Sequence, residues 1–460
     1  MGAQFTLTEI LAATRGTLIQ PGSAALFSGV STDTRTCQPG QLFIPLKGER
    51  RDGHDFIPAA LERGAMGVLV ANGPTAIPPE VSVISVKDTL AALGDLAQAW
   101  RLRFPGPVVA ITGSCGKTTT KEMTAAVLSR SFRVHKNELN LNNLIGLPLT
   151  LLGLDSSHQA AVVELGMNAF GEILRLTQIA RPTIGVLLNV YPAHTEGVGD
   201  VTGVARAKGE LVEALEPDAQ LIYNADDPWL APRAQDFPGR TLGFGLGRDA
   251  DLKASERLAQ GRHGQWAQIH FQGRSWPLTL KATGLHMLYN ALAATAVGLS
   301  LGLAPEEMAG ALSEFAPVMR RCQVHTLPSG VHLLNDCYNA NPGSMAMALK
   351  TLTELRDAGR TAAALGDMLE LGQGAVAAHQ ELGRQAALMG LDLLVIYGNF
   401  RQEVAAGAQE AGLAPERILP VESHAEGARA LQEFLQPGDW LLVKGSRAMR
   451  MEQIIEGLKD

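Results

Sequence analysis

Gly113, Gly116, Lys117 and Thr118 stand in the order that phosphate chemistry requires. The apolar, β-branched run Val108–Ile111 reads as a buried strand. Two glycines then bracket a tight turn, and Lys117 opens a helix whose inward face is Met123, Ala126 and Val127. Such a turn aims backbone N–H groups at an anion, and the helix dipole adds partial positive charge. Gly113, Ser114, Cys115, Gly116, Lys117, Thr118 and Thr119 form the cradle. Lys117 reaches the terminal phosphates and the Thr118 hydroxyl ligates Mg²⁺. Ile111 stands where the common P-loop has its first glycine, so this loop is a short variant. A structural strand–turn–helix with an exposed lysine is the alternative, but it leaves the joint placement of four residue types without a reason.

Further polar groups fall at strand ends. Glu164 follows Ala160–Val163, and His194 follows the run Thr183–Asn189. In an open parallel sheet these positions share the carboxyl edge with Lys117 and Thr118, where ligands bind. A carboxylate, an imidazole and a hydroxyl beside a phosphate loop suit Mg²⁺. Asp336, Asp367 and Lys444 end three strands nearer the C-terminus, and that edge is expected to close over the nucleotide. The segment 137–148 carries Asn137, Asn140, Asn142 and Asn143, more amides than a capped turn needs. Ser31, Arg35, Lys47 and His54 lie near turns. They suit a polyanion such as a diphosphate, or equally a solvated surface.

The elements that position these groups divide the 460 residues into three α/β units. Residues 1–87 form a small α/β unit. Residues 88–316 form a parallel-sheet unit around the phosphate loop, with an antiparallel hairpin at 265–280 as its edge. Residues 317–460 form a Rossmann-like, doubly wound unit. A net charge of −7 argues against a nucleic-acid partner. The four cysteines are scattered, which suits a reducing compartment. No run is long and apolar enough to span a bilayer, and no basic-then-apolar leader pattern opens the chain. Met1–Thr6 formally fits a myristoylation pattern, but Thr6 and Glu9 read better as a capping box. The expected location is the cytoplasm.

Taken together, the motifs resemble those of the Mur ligases, the amide-bond ligases of peptidoglycan precursor synthesis. Thr112–Thr119 is similar to their ATP loop, and Ser31–Arg35 with Lys47–Phe56 to a uridine-nucleotide-binding first domain. Asn140–Thr150 and Glu164–Asn168 match central signatures, and Gly284–Asn290 the segment that contacts adenine. Asp336–Met345, Leu365–Gly372 and Val443–Arg447 look like the third domain. The resemblance implies an ATP-dependent ligase that joins D-alanyl-D-alanine to UDP-N-acetylmuramoyl-tripeptide through an acyl phosphate; three domains around an internal cleft need no partner, so a monomer is expected. It implies substrate contacts at Ser31, Arg35, Lys47, His54, Asn140, Asn142, Asn143, Tyr338 and Asn339. It implies ATP contacts at Asn290, Arg321 and Asp336 besides the loop. Two Mg²⁺ ions are implied, at Thr118, Glu164, His194 and Lys208, with Lys208 carried as a carbamate. Lys117, Glu164, His194, Lys208 and Arg321 are the implied catalytic set. The family has Gly-Arg where this chain has Arg320-Arg321, so both arginines are candidates for the phosphate contact.

Overall fold

The computed structural model describes residues 2–48, 50–71, 77–138 and 140–459. Glu49 and Leu139, inside two of the motifs above, and Met1 lie outside the described residues.

Three large sheets occupy successive stretches of chain. The first has five strands, in the order Thr17–Gln20, Ser82–Ser85, Gly67–Val70, Leu42–Phe43, Val30–Ser31. A capping box at Thr6 starts the helix Leu7–Thr14 beside it: the Glu9 carboxylate accepts from Thr6 N at 2.7 Å. The second sheet has nine strands. Its order runs Val134–Lys136, Ala160–Glu164, Val108–Thr112, Ile184–Leu187, Gln220–Asn224, Arg240–Gly245, Leu252–Ala259, then Gln265–Phe271 and Arg274–Leu280. Its last two strands form the antiparallel edge hairpin and the others pair in parallel. The third sheet has six strands, with Gln323–Thr326 antiparallel at one edge of an otherwise parallel array.

Burial on both faces explains the continuous apolar strands. Val109 and Ile111 enter one core, while Val108 and Ala110 enter another across the sheet. Register then fixes the site. Glu164 pairs opposite Ile111 and Leu187 opposite Thr112, so three neighbouring strands end around the loop that starts at Gly113.

The helix Lys117–Leu128 corrects the sequence expectation in one respect. Met123 and Val127 are buried, but Ala125 rather than Ala126 joins them, together with Thr119, Thr120, Lys121 and Thr124. The helix is sandwiched between the sheet and the Ala-rich helix Leu285–Ser300, which removes the solvent face that a single-stripe reading assumes. Among the described residues, no helix is long and apolar enough to cross a membrane.

Candidate active site

A cleft of about 770 Å³ lies between the second and third units. From the second unit it takes Ser114–Thr119, Asn140, Asn142, Asn143, Glu164, His194 and Asn290; from the third, Arg321, Asp336, Tyr338, Asn339 and Lys444. A second cavity of about 450 Å³ adjoins it, sharing Cys115, Gly116, His286 and Asn290.

The loop is rigidly held. Cys115 N donates to Asn189 Oδ1 at 2.8 Å, Asn189 Nδ2 donates back to Cys115 O at 3.1 Å, and Ser114 N donates to Asn189 O at 3.0 Å. Two of the turn's amides are therefore taken by protein. The first turn of the following helix, whose N-cap, Gly116, has no side chain to satisfy it, is left as the place where backbone amides can meet an anion. Lys117 Nζ donates to Gly113 O at 2.8 Å, arching over the loop. Its burial pushes the ammonium pKa down, against the opposing pull of Glu164.

Thr118 is the meeting point. Its hydroxyl donates to Glu164 Oε2 at 2.8 Å and accepts from Arg321 at 2.9 Å. Asn142 donates to the other oxygen of Glu164, and Asn137 Oδ1 accepts from Glu164 N at 2.8 Å. A buried carboxylate is thus fixed by two donors and retains lone pairs for a cation. Arg321 also lies over the Tyr338 ring at 4.0 Å. Arg320 points elsewhere, pairing with Glu452 at 2.9 Å, so Arg321 is the arginine in the cleft.

Gly116 is required by its surroundings. Its φ is +82°, and an added Cβ would lie 2.5 Å from Asn290 Oδ1. Gly116→Ala is expected to raise the KM for ATP at least about tenfold, because a strained left-handed alanine must also displace Asn290. Nucleotide titration of the purified variant measures this; wild-type affinity would contradict it.

Comparison with known proteins follows the same division. The Mur ligase family catalytic domain matches residues 26–101, the Mur ligase middle domain 111–298, and the Mur ligase glutamate ligase domain 320–447. The UDP-N-acetylmuramoyl-tripeptide–D-alanyl-D-alanine ligase of Bacillus subtilis is 37% identical over 98% of both chains. The chain belongs to the Mur ligase family. Crystal structure I of MurF from Acinetobacter baumannii superposes with a TM-score of 0.92, at 31% identity, over 100% of this chain and 99% of that one. The MurF ligase of Thermotoga maritima, solved with ADP, gives 0.85 at 28% identity, covering 94% and 97%.

Not every expected residue of this Mur ligase reaches the cleft. Ser31, Arg35, Lys47, His54 and Lys208 line neither cavity. The Ser31 hydroxyl closes a turn on Asp33, and Arg35 pairs with Asp33 at 2.6 Å. His54 uses both ring nitrogens, on Asp52 at 2.6 Å and on Ala71 N at 3.2 Å. Asp367, expected at the nucleotide edge, is instead consumed by the amides of Asn399 and Phe400 at 2.7 and 3.2 Å. Asn143 and Asp336 do line the cleft, but both are engaged: Asn143 caps the turn before the helix Gly146–Leu152, accepting from Gly146 N at 2.8 Å. Asp336 is tied to Lys444 at 2.5 Å.

Lys208, on the helix Val201–Ala214, is 1% exposed, and among the described residues its Nζ has no hydrogen-bond partner. Burial, reinforced by Lys117, pushes its pKa well down. The adjacent acid, Glu210, is occupied by Gly171 N at 2.7 Å and Leu174 N at 3.1 Å. A buried amine without a partner is costly, and a neutral amine is the form that adds CO₂, so the residue fits a carbamate. Among the described residues no three His, Cys, Asp or Glu side chains cluster as a metal site. The oxygen donors Thr118 and Glu164 beside a phosphate loop nonetheless fit Mg²⁺, which takes few protein ligands and completes its shell with phosphate and water.

Several contributors escaped the sequence reading. Asn189 clasps the loop, and Asn341 reaches it from the third unit, accepting from Cys115 Sγ at 3.2 Å. His286, half-buried and with its pKa pulled down to about 4 by desolvation, contacts Cys322 Sγ at 3.2 Å across the units. Asn189 falls outside every motif, while His286 and Asn341 lie inside motifs read for other residues, and nothing local names the partner of any of the three.

Proposed function

We propose that this Mur ligase forms the pentapeptide precursor of peptidoglycan. The terminal carboxylate of UDP-N-acetylmuramoyl-tripeptide attacks the γ-phosphate of ATP, giving an acyl phosphate and ADP. The amine of D-alanyl-D-alanine then adds to the acyl carbon, and the tetrahedral intermediate expels phosphate with loss of a proton. The observation that carries the reading is the convergence on Thr118: phosphate helix, carboxylate and an arginine from the other unit meet at one hydroxyl inside a cleft. Phosphoryl transfer needs just such positioning and charge neutralisation. The two acceptor substrates are taken from the names of relatives that match nearly end to end.

In this reading Lys117 and the first-turn amides neutralise the β- and γ-phosphates, and Arg321 faces the transferring group. Asn290 and the adjoining cavity hold the nucleoside, with Asp336 toward the ribose. Thr118 and Glu164 hold one Mg²⁺; His194 and carbamoylated Lys208 serve a second. Those ions supply the charge neutralisation that phosphoryl transfer requires. Asn140, Asn142, Asn143, Tyr338 and Asn339 face the acyl and amino substrates. Residues 1–87, with Ser31, Arg35, Lys47 and His54, bind the uridine diphosphate, 88–316 bind ATP, and 317–460 close the cleft and bind the amino substrate. The protein works as a cytoplasmic monomer on small molecules, without nucleic acid or membrane insertion.

A coupled ADP assay with each substrate omitted in turn tests this. ADP release is expected only with both UDP-tripeptide and D-alanyl-D-alanine present. Turnover indifferent to either, or equal turnover with a single amino acid, overturns the assignment.

A further inference from the structure

Lys121 is a buried cation that the proposed reaction does not use. It lies one turn beyond Lys117 and Thr118 on the helix Lys117–Leu128, has no exposed surface, and lines neither cavity. Its ammonium donates to Asn137 O at 2.6 Å and lies 3.2 Å from Glu122 Oε1. Glu122 also pairs with Lys136, so it does not depend on Lys121 alone. Asn137 is itself fully buried and is held in three directions. Its carbonyl accepts from Lys121, its Nδ2 donates to Leu141 O at 2.5 Å, and its Oδ1 accepts from Glu164 N at 2.8 Å. The last contact has a reason in the sheet. The strand Val134–Lys136 pairs Lys136 with Val162 and then stops, so the Glu164 amide finds its acceptor in a side chain rather than in the ladder. The carboxylate of the same Glu164 accepts from the Thr118 hydroxyl at 2.8 Å. Helix, turn and strand end thus close a ring that leaves the helix at Lys121, passes through Asn137 and Glu164, and returns to it at Thr118.

We propose that Lys121 is a positioning residue for Glu164, acting through Asn137. A buried ammonium is costly, and an apolar side chain of similar length would serve packing as well or better. What the ammonium alone supplies is a charged donor that ties the phosphate helix to the turn holding Glu164. Glu164 is thereby set against Thr118 from its backbone side, while Asn142, further along the same turn, donates to its other carboxylate oxygen. Lys121 lies outside both cavities, so it acts on the site without touching substrate. The kinetic half of this proposal rests on the ligase reading above; the structural half does not.

Lys121→Met keeps the length and removes the donor, whereas Lys121→Gln keeps an N–H donor on a shorter stem. Lys136→Met removes the other cation from Glu122 and leaves Asn137 untouched. Amide hydrogen exchange of the ligand-free full chain reports the hold on Glu164 without metal or substrate. In Lys121→Met the Glu164 amide is expected to exchange about tenfold faster, while the amides of the strand Val108–Thr112 keep their wild-type protection. The melting temperature should stay within about 4 °C of wild type. The Mg²⁺ concentration for half-maximal ADP release should rise about tenfold or more, the loss that follows when the support behind a metal ligand is removed. Lys121→Gln should lie between wild type and Lys121→Met on both signals, and Lys136→Met should match wild type. A lysine that only fills space would change the melting temperature and leave both signals where they are. An unchanged Glu164 amide or an unchanged Mg²⁺ requirement in Lys121→Met overturns the proposal, as does an equal shift in Lys136→Met. If Lys121→Met does not fold, Lys121→Gln against Lys136→Met decides on the same two signals. If ADP release proves independent of the two substrates, the ligase reading fails, and the exchange of the Glu164 amide still decides the role of Lys121.

Discussion

Lys208→Met is expected to lower substrate-dependent ADP release about 10²–10³-fold while leaving the fold intact. The effect is of the size seen when one preorganised transition-state contact is removed. Two readings of Lys208 diverge here. A structural lysine, buried at 1% exposure with no partner for its Nζ, is a liability, because an unpaired polar group in the core costs stability. Methionine matches its length and removes the amine, so on that reading the variant is at least as stable and fully active. A carbamoylated lysine instead carries an oxygen donor within electrostatic reach of Lys117 and Glu164, two of the groups that bear on its pKa. Methionine then deletes a ligand, and activity collapses although the melting temperature holds or rises. Lys208→Ala leaves a cavity that a short carboxylic acid can enter, and partial rescue is expected there but not in Lys208→Met. A carbon-13 carbamate signal after labelling with bicarbonate should appear in the wild type alone. Full activity in Lys208→Met would sink the carbamate.

The legible parts of this protein are those with local signatures. The strand–glycine–helix cradle follows from Gly113 to Thr118 because each residue answers a need of its neighbours. Burial on two faces makes the central strands continuous apolar runs, and this suffices to order a parallel sheet with an antiparallel edge. Glu164 and His194 are legible through topology: a polar residue just past an apolar strand lies at the ligand edge. Asp367 shows the limit of that rule. It occupies the same kind of position but spends its oxygens on the turn at Asn399 and Phe400. Nothing in the strand itself tells an acid that binds from one that caps. Contacts between units are the least legible. Asn341 to Cys115, His286 to Cys322 and Glu370 to His194 each join residues of different units, and each residue alone is ordinary. Their pairing is set by how two finished units dock, after local pattern has done its work.

The adjacent arginines provide a paired test in which the two variants should diverge. Arg321→Ala is expected to cut kcat about 10²–10³-fold, with a smaller change in the KM for ATP. Its guanidinium is held from two sides, by the Thr118 hydroxyl at 2.9 Å and the Tyr338 ring at 4.0 Å, and in the reaction proposed above that hold would preorganise it for the charge on the transferring phosphoryl group. Arg321→Lys should restore little, because an ammonium lacks the planar face that stacks on tyrosine and the fork that reaches two acceptors. Arg320→Ala should leave kcat within about threefold of wild type, the range of a partly exposed ion pair worth under about 1 kcal/mol. Its loss does not strand Glu452, which keeps Arg447 at 2.7 Å. A protein in which Arg320→Ala is the more damaged of the two would mean that the cleft is rebuilt around the other arginine during turnover. Equal damage would mean that the turn carrying both, with Arg320 at φ +61°, matters more than either charge. Steady-state kinetics at saturating UDP-tripeptide and D-alanyl-D-alanine distinguish these outcomes. The expected split follows from one geometric fact: the second arginine faces the phosphate helix and the first turns back into its own unit.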